Sequence, residues 1–149
     1  MWSRESLFNL VHEKLKDYLF IVVSNREPYI HTFSGQEIKC MIPASGLTVA
    51  LDPVMQACGG TWIAHGSGEA DKEVVDAENK VSVPPEKPKY SLKRVWLTKE
   101  EEDGYYYGFA NEALWPLCHI VYNRPVFRES DWETYKKVNE IFARSVLDE

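Results

Sequence analysis

Six consecutive residues, Tyr18-Leu19-Phe20-Ile21-Val22-Val23, are apolar, and the run stops abruptly at Ser24-Asn25-Arg26-Glu27-Pro28. A short unbroken apolar run rich in β-formers, without the polar alternation of a half-wet strand, predicts a strand buried on both faces of a parallel sheet. Parallel strands cannot be joined by a tight turn, so the chain has to cross back over the sheet, normally by a helix.

The rest of the sequence fits that demand. Ser3 is placed to cap a leading helix with Glu5 in its first turn, and Leu7, Leu10, Val11 and Leu15 recur at helical spacing. Tyr29 to Met41 alternates loosely around Ser34-Gly35 and predicts a hairpin. Pro43-Ala44-Ser45-Gly46 is a small-residue loop before a helical stretch from Leu47, which Asp52-Pro53 is expected to restart, with Asp52 as cap, and which Gly59-Gly60 closes. Thr61-Trp62-Ile63-Ala64 reads as a second strand, followed by the glycine loop His65-Gly66-Ser67-Gly68. Glu69 to Asn79 is polar and reads as a surface excursion; Val81 to Val83 and Leu92 to Leu97 read as strands. Thr98-x-x-Glu101 and Ser130-x-x-Glu133 have the capping-box spacing, and the second is followed by a stripe of Trp132, Tyr135, Val138, Phe142 and Val146. Strands alternating with helices predict a layered α/β fold with a largely parallel sheet.

Composition narrows the function classes. With 44% hydrophobic and 27% charged residues the chain is built like a globular protein. The net charge of −6 and the lack of a Lys/Arg stripe speak against nucleic acid. No apolar run approaches the ~20 residues that span a bilayer, and Met1–Lys16 lacks the pattern of a signal peptide. Cys40, Cys58 and Cys118 form no Cys-x-x-Cys pair, which suits reduced thiols and a cytoplasmic location. His12, His31, His65 and His119 lack zinc-ligand spacing, so no metal is expected.

Four places can carry chemistry. Arg26 stands where a parallel strand ends, the edge at which open α/β sheets bind ligands, and its guanidinium fork matches phosphate oxygens; an ion pair with Glu27 or another acid is the equally weighted alternative. Ser45-Gly46 offers unhindered backbone N–H groups at a helix start, a geometry that attracts phosphates. His65 follows a strand and could reach a substrate or simply be solvated. Tyr105 to Trp115 packs five aromatics into eleven residues, which suits either a sugar-binding wall or a core helix.

These pieces occur together in one known family. Ile21-Val22-Val23-Ser24-Asn25-Arg26 resembles the opening strand of glycosyltransferase family 20, the trehalose 6-phosphate synthases. Ser45-Gly46-Leu47 is similar to its Gly-Gly-Leu loop, and Gly60-Thr61-Trp62-Ile63 to its Gly-x-Trp strand. Tyr105-Tyr106 through Phe109, Asn111, Leu114-Trp115-Pro116 and His119 resembles its Tyr-Tyr-x-x-Phe-x-Asn-x-x-Leu-Trp-Pro-x-x-His block, and Trp132, Tyr135, Val138 and Asn139 resemble the next helix. The resemblance implies a GT-B fold, of which this chain would be the Rossmann-like acceptor-side part: residues 1–17 a leading helix, residues 18–149 a partial domain, the donor-binding domain absent. It implies retaining transfer of glucose from UDP-glucose to glucose 6-phosphate without a metal or resident cofactor. Arg26 and Tyr106 would hold the acceptor phosphate, Trp115 would line the acceptor sugar, Ser45 and Gly46 would face the donor diphosphate, and Trp62 and His65 would complete the pocket.

The sequence also departs from the family. Ser45 replaces the first glycine of the usual pair, His65 stands where many members have a second Trp, and the hairpin is longer than in the simplest members. The family's His-Asp-Tyr-His strand would follow Glu149. An isolated chain is therefore expected to be inactive, and a sheet lacking its next strand is expected to associate with itself or with a full-length synthase. A related synthase acting on glycerol 3-phosphate, a non-catalytic sugar-phosphate module and an unrelated phosphate-binding α/β domain stay open on sequence grounds.

Overall fold

A computed structural model describes residues 3–15, 18–120 and 122–149. The chain divides into two compact units, Met1–Val95 and Trp96–Glu149. Of the leading segment, Met1, Trp2, Lys16 and Asp17 lie outside the described residues.

The first unit opens with α1 (Arg4–Leu15). Ser3 Oγ accepts from the Ser6 N–H at 3.1 Å and the Ser6 hydroxyl accepts from the Ser3 N–H at 2.7 Å, a reciprocal cap with serine where Glu is usual. Strand β1 (Ile21–Ser24) follows, then β2 (Ile30–Ser34) and β3 (Glu37–Met41), which pair antiparallel with Ser34 opposite Glu37. Gly35 takes φ 67° at the turn, as the expected hairpin requires. Helix α2 (Gly46–Cys58) leads to β4 (Thr61–His65), and β5 (Lys80–Val83) and β6 (Tyr90–Val95) complete the unit.

The sheet order is β1-β4-β6-β5. β1, β4 and β6 run parallel, and β5 is antiparallel to β6. All five residues of the central β4 are buried. β1 differs from the sequence expectation: it lies at the edge of the sheet formed by the described residues, and Val23 is 46% exposed. Beneath the sheet, Tyr29, Met55, Trp62, Ala64, Val83, Tyr90 and Leu92 form the core, with Phe20, Val22, Leu51 and Val81 packed against it. Gly60 is required where β1 meets β4, because a Cβ there would lie 2.1 Å from Phe20 O.

Asp52 is not a cap. α2 runs unbroken through Pro53, whose missing N–H deprives only the exposed turn at Val49 of a donor. The Asp52 carboxylate faces inward: Oδ1 accepts from Tyr29 Oη at 3.1 Å and Tyr90 Oη at 2.7 Å, and Oδ2 from Gln56 Nε2 at 2.6 Å. Burial and this carboxylate hold both phenols above their ordinary range.

The second unit is two helical rods. α3 (Lys99–Glu102) continues into a π-helical segment (Asp103–Leu114) and α4 (Trp115–His119); α5 (Glu129–Leu147) packs along the π segment. The Thr98 capping box is present in both directions, with Thr98 Oγ1 accepting from Glu101 N and Glu101 Oε2 from Thr98 N. The Ser130 box is not: α5 begins at Glu129 behind Arg128, and the Ser130 hydroxyl turns to Asp131. In the π register the Trp115 N–H reaches Ala110 O, one residue past the α-helical partner. Tyr105, Phe109, Trp132, Tyr135 and Phe142 interlock between the rods, with Phe109 centred 4.8 Å from Tyr135 and 5.0 Å from Trp132. Burial lifts the Tyr105 phenol to about 12.

Candidate functional site

Because β1 and β4 are parallel, α2 has to carry the chain from the carboxyl edge of the sheet back to its amino edge. The N-terminus of α2 therefore lies at the same edge as the residues that follow β1. Arg26, Ser45, Gly46 and His65 all belong to this edge.

Arg26 is exposed, two residues past the end of β1. Its main chain is tied down: the Ser24 hydroxyl donates to Arg26 O at 2.6 Å and accepts from Trp62 Nε1 at 2.8 Å. Trp62 is fully buried and stacks near Tyr90. Its indole is a core element, and it reaches this edge only through Ser24. His65 is buried as well, with Nδ1 3.2 Å from Val95 O, which assigns the Nδ1–H to that carbonyl.

At the start of α2, Ser45 is an extended N-cap (φ −140°, ψ 127°) with no side-chain capping bond, and the first turn holds no acidic residue. Its hydroxyl leaves the leading amides uncapped, while Thr48 Oγ1 donates back to Ser45 O at 2.9 Å. A Cβ on Gly46 would meet nothing within 4 Å, so the chain's own packing does not ask for glycine here. The arrangement suits an anion drawn to the amino end of the helix.

Behind Arg26 lies a buried polar cluster. Arg94 donates from Nε to Glu27 Oε2 at 2.9 Å, from one terminal nitrogen to Asp71 O at 3.0 Å, and from the other to Tyr29 O at 3.0 Å and His31 Nδ1 at 2.9 Å, and this last nitrogen is ion-paired with Asp71 Oδ1 at 2.8 Å. Glu27 Oε1 accepts from Ser67 N and Oγ at 2.9 and 3.0 Å. Asp71 accepts from His31 N at 2.8 Å and Gly68 N at 2.7 Å. A Cβ on Gly68 would fall 2.4 Å from His31 O, so only glycine lets the loop approach. Burial, reinforced by Asp71, raises Glu27 to about 7 against the pull of Arg94. Burial and then Arg94 lower His31, in keeping with an Nδ1 that accepts from the guanidinium.

The second unit carries Tyr106 and Trp115. Tyr106 is half-buried, beside Tyr105 and edge-on to Tyr107. Trp115 is 58% exposed and stacks on His119 at 3.6 Å. The aromatic run is thus divided: Tyr105 and Phe109 fill the interior, while Trp115 presents a flat face to solvent.

Residues 18–149 match the model of Glycosyltransferase family 20. The chain belongs to that family. Relatives in glycosyltransferase family 20 include a trehalose-6-phosphate synthase of Mycolicibacterium vanbaalenii, 34% identical over 85% of this chain and 25% of its own length. A trehalose-6-phosphate synthase of Mycobacterium ulcerans is 33% identical over 96% of this chain and 28% of its own length. A glucosylglycerol-phosphate synthase of Pseudomonas anguilliseptica is 40% identical over 60% of this chain and 12% of its own length. Among solved structures, a trehalose-6-phosphate synthase from E. coli bound with UDP-2-fluoro glucose superposes with a TM-score of 0.58 and 28% identity, over 86% of this chain and 24% of that one. The α/β fold with its parallel sheet is that of these GT-B enzymes, and the chain spans about a quarter of the length of the trehalose-6-phosphate synthases it matches.

Sequence reasoning missed the buried cluster. Asp71 falls in the segment read as a surface excursion, yet it is fully buried. The overlooked signal is Lys93-Arg94 within a strand otherwise fit for the interior: a guanidinium there demands buried carboxylates.

Proposed function

We propose that this chain forms the acceptor-side part of a retaining glucosyltransferase that moves glucose from UDP-glucose to glucose 6-phosphate, yielding trehalose 6-phosphate. Arg26 carries the reading. It is an exposed guanidinium at the carboxyl end of a parallel strand, on the edge where α2 presents uncapped amides, in a chain of glycosyltransferase family 20. In the first unit Arg26 is the residue assigned to the acceptor phosphate and the Ser45 and Gly46 amides to the donor diphosphate; in the second, Tyr106 and Trp115 are the residues assigned to the acceptor. His65 shapes the same edge from behind, and Trp62 serves it from the core through Ser24.

The positive ends supplied by Arg26 and α2 support a transfer that uses no metal ion or resident cofactor, with UDP-glucose as substrate. No helix of the described residues is long and apolar enough to cross a membrane, and the free thiols of Cys40, Cys58 and Cys118 suit the cytoplasm.

A second acceptor, glycerol 3-phosphate, is favoured by the 40% identity to the glucosylglycerol-phosphate synthase. Competition between glucose 6-phosphate and glycerol 3-phosphate for the protein distinguishes the two. Preference for glucose 6-phosphate, lost in Trp115→Ala, supports the first reading; preference for glycerol 3-phosphate supports the second. A polypeptide of these 149 residues is expected to release no UDP from the two substrates, and steady turnover would contradict that part of the proposal.

A further inference from the structure

We propose that Ser24 and Glu27 are positioning residues that bracket Arg26 and hold its main chain ready for a phosphate. The proposal rests on the reading of Arg26 as the phosphate-binding cation and adds the source of its preorganisation.

The bracket has two anchors of different chemistry. On one side, the Ser24 hydroxyl is itself oriented by the buried Trp62 indole and spends its proton on Arg26 O. On the other, Glu27 directly follows Arg26 and its carboxylate is held by Arg94 and by both Ser67 donors. Arg94 is in turn fixed by Asp71, Tyr29 O and His31, and Ala70 N closes the surrounding loop on His31 O at 3.0 Å. Four ionisable groups and an indole are thus committed to a stretch of four residues. Only one side chain between the anchors, that of Arg26, is exposed along with none of the anchors' charged atoms.

A fold needs no buried ionic cluster to stay folded, since well-packed apolar residues usually serve as well. Holding a cation in place before its ligand arrives is a gain such a cluster can supply. Fixing one residue's backbone is worth roughly tenfold in affinity when the ligand does not have to do it.

The test titrates the protein with glucose 6-phosphate, comparing the parent with Ser24→Ala, Glu27→Gln and Arg26→Ala. Backbone relaxation at the Arg26 amide is recorded alongside. The proposal expects Ser24→Ala and Glu27→Gln each to weaken binding about tenfold, with added motion at Arg26 and none in β4. If Glu27→Gln does not fold, Ser24→Ala decides alone. Undiminished affinity in the folded variants, with binding abolished by Arg26→Ala, overturns the positioning role and leaves the phosphate reading intact. Weaker binding accompanied by equal added motion in β4 also overturns it, because that shows a general loosening. Parent-like binding by Arg26→Ala, or no binding by the parent, overturns both.

Discussion

Arg94 donates from Nε to Glu27 Oε2 across 2.9 Å, and neither side chain reaches solvent. Asp71 sits on the opposite end of the same guanidinium, also buried. Removing the cation leaves two carboxylates in a site with no compensating charge. Arg94→Met should therefore cost about 3–5 kcal/mol in urea unfolding. Arg128→Met, which breaks half-exposed pairs with Glu112 and Asp131, should cost far less, because solvent screens exposed ion pairs. Equal losses would mean that the cluster is not the buried anchor described.

Glu27 also sets a pH signature. Its carboxyl is raised from 4.5 to about 7, chiefly by burial. The folded protein thus holds a proton that the unfolded chain releases, and this contribution is complete below about pH 4.5 and lost as pH climbs through 7. His31, lowered by burial and Arg94, acts in the opposite sense, favouring the fold above its ordinary value and losing that as pH falls. Comparing the parent with Glu27→Gln isolates the first effect. The parent's advantage should shrink between about pH 5 and 7; a gap that stays constant across that window would refute the assignment.

Gly68 and Gly46 should separate folding from binding. An alanine at Gly68 would drive its Cβ to 2.4 Å from His31 O and 2.8 Å from the Asp71 carboxyl. The backbone has to move, and a loss of about 1–3 kcal/mol is expected in thermal or urea unfolding. Gly46→Ala meets nothing within 4 Å, so stability should stay within about 0.5 kcal/mol while affinity for UDP-glucose falls.

The aromatic run should divide in the same way. Phe109 is 9% exposed among Trp132, Tyr135 and Phe127, and Phe109→Ala should cost about 3–5 kcal/mol. Trp115→Ala should leave the unfolding midpoint nearly unchanged and weaken glucose 6-phosphate binding. A reversed pattern would place the sugar wall elsewhere.

What the sequence made legible was local. Gly35 announced its turn, Thr98 and Glu101 their cap, and the run ending at Val23 its parallel partner. The misreadings share one cause, which is that distant residues decide them. Asp52 next to Pro53 looks like a helix start, but Tyr29 and Tyr90 draw its carboxylate inward and α2 continues. Asp71 looks solvated until Arg94 arrives from β6. Ser130 has the right spacing for a cap, yet Arg128, bonded to Glu112 and Asp131, starts the helix two residues earlier. The π register from Asp103 leaves no mark in spacing rules built on α-helices. The positions of Arg26, Ser45 and Gly46 at a strand end and a helix start were legible because such boundaries are marked locally in the sequence. The Glu27–Arg94–Asp71–His31 cluster was not, because its members are drawn from four separate segments.

The account turns on Arg26 as the cation that receives a sugar phosphate. Phosphorus NMR of glucose 6-phosphate titrated with the parent protein and with Arg26→Ala measures this directly. The account predicts a saturable shift of the phosphate signal with the parent, and its loss in a folded Arg26→Ala variant. The same saturable shift in both proteins would contradict it.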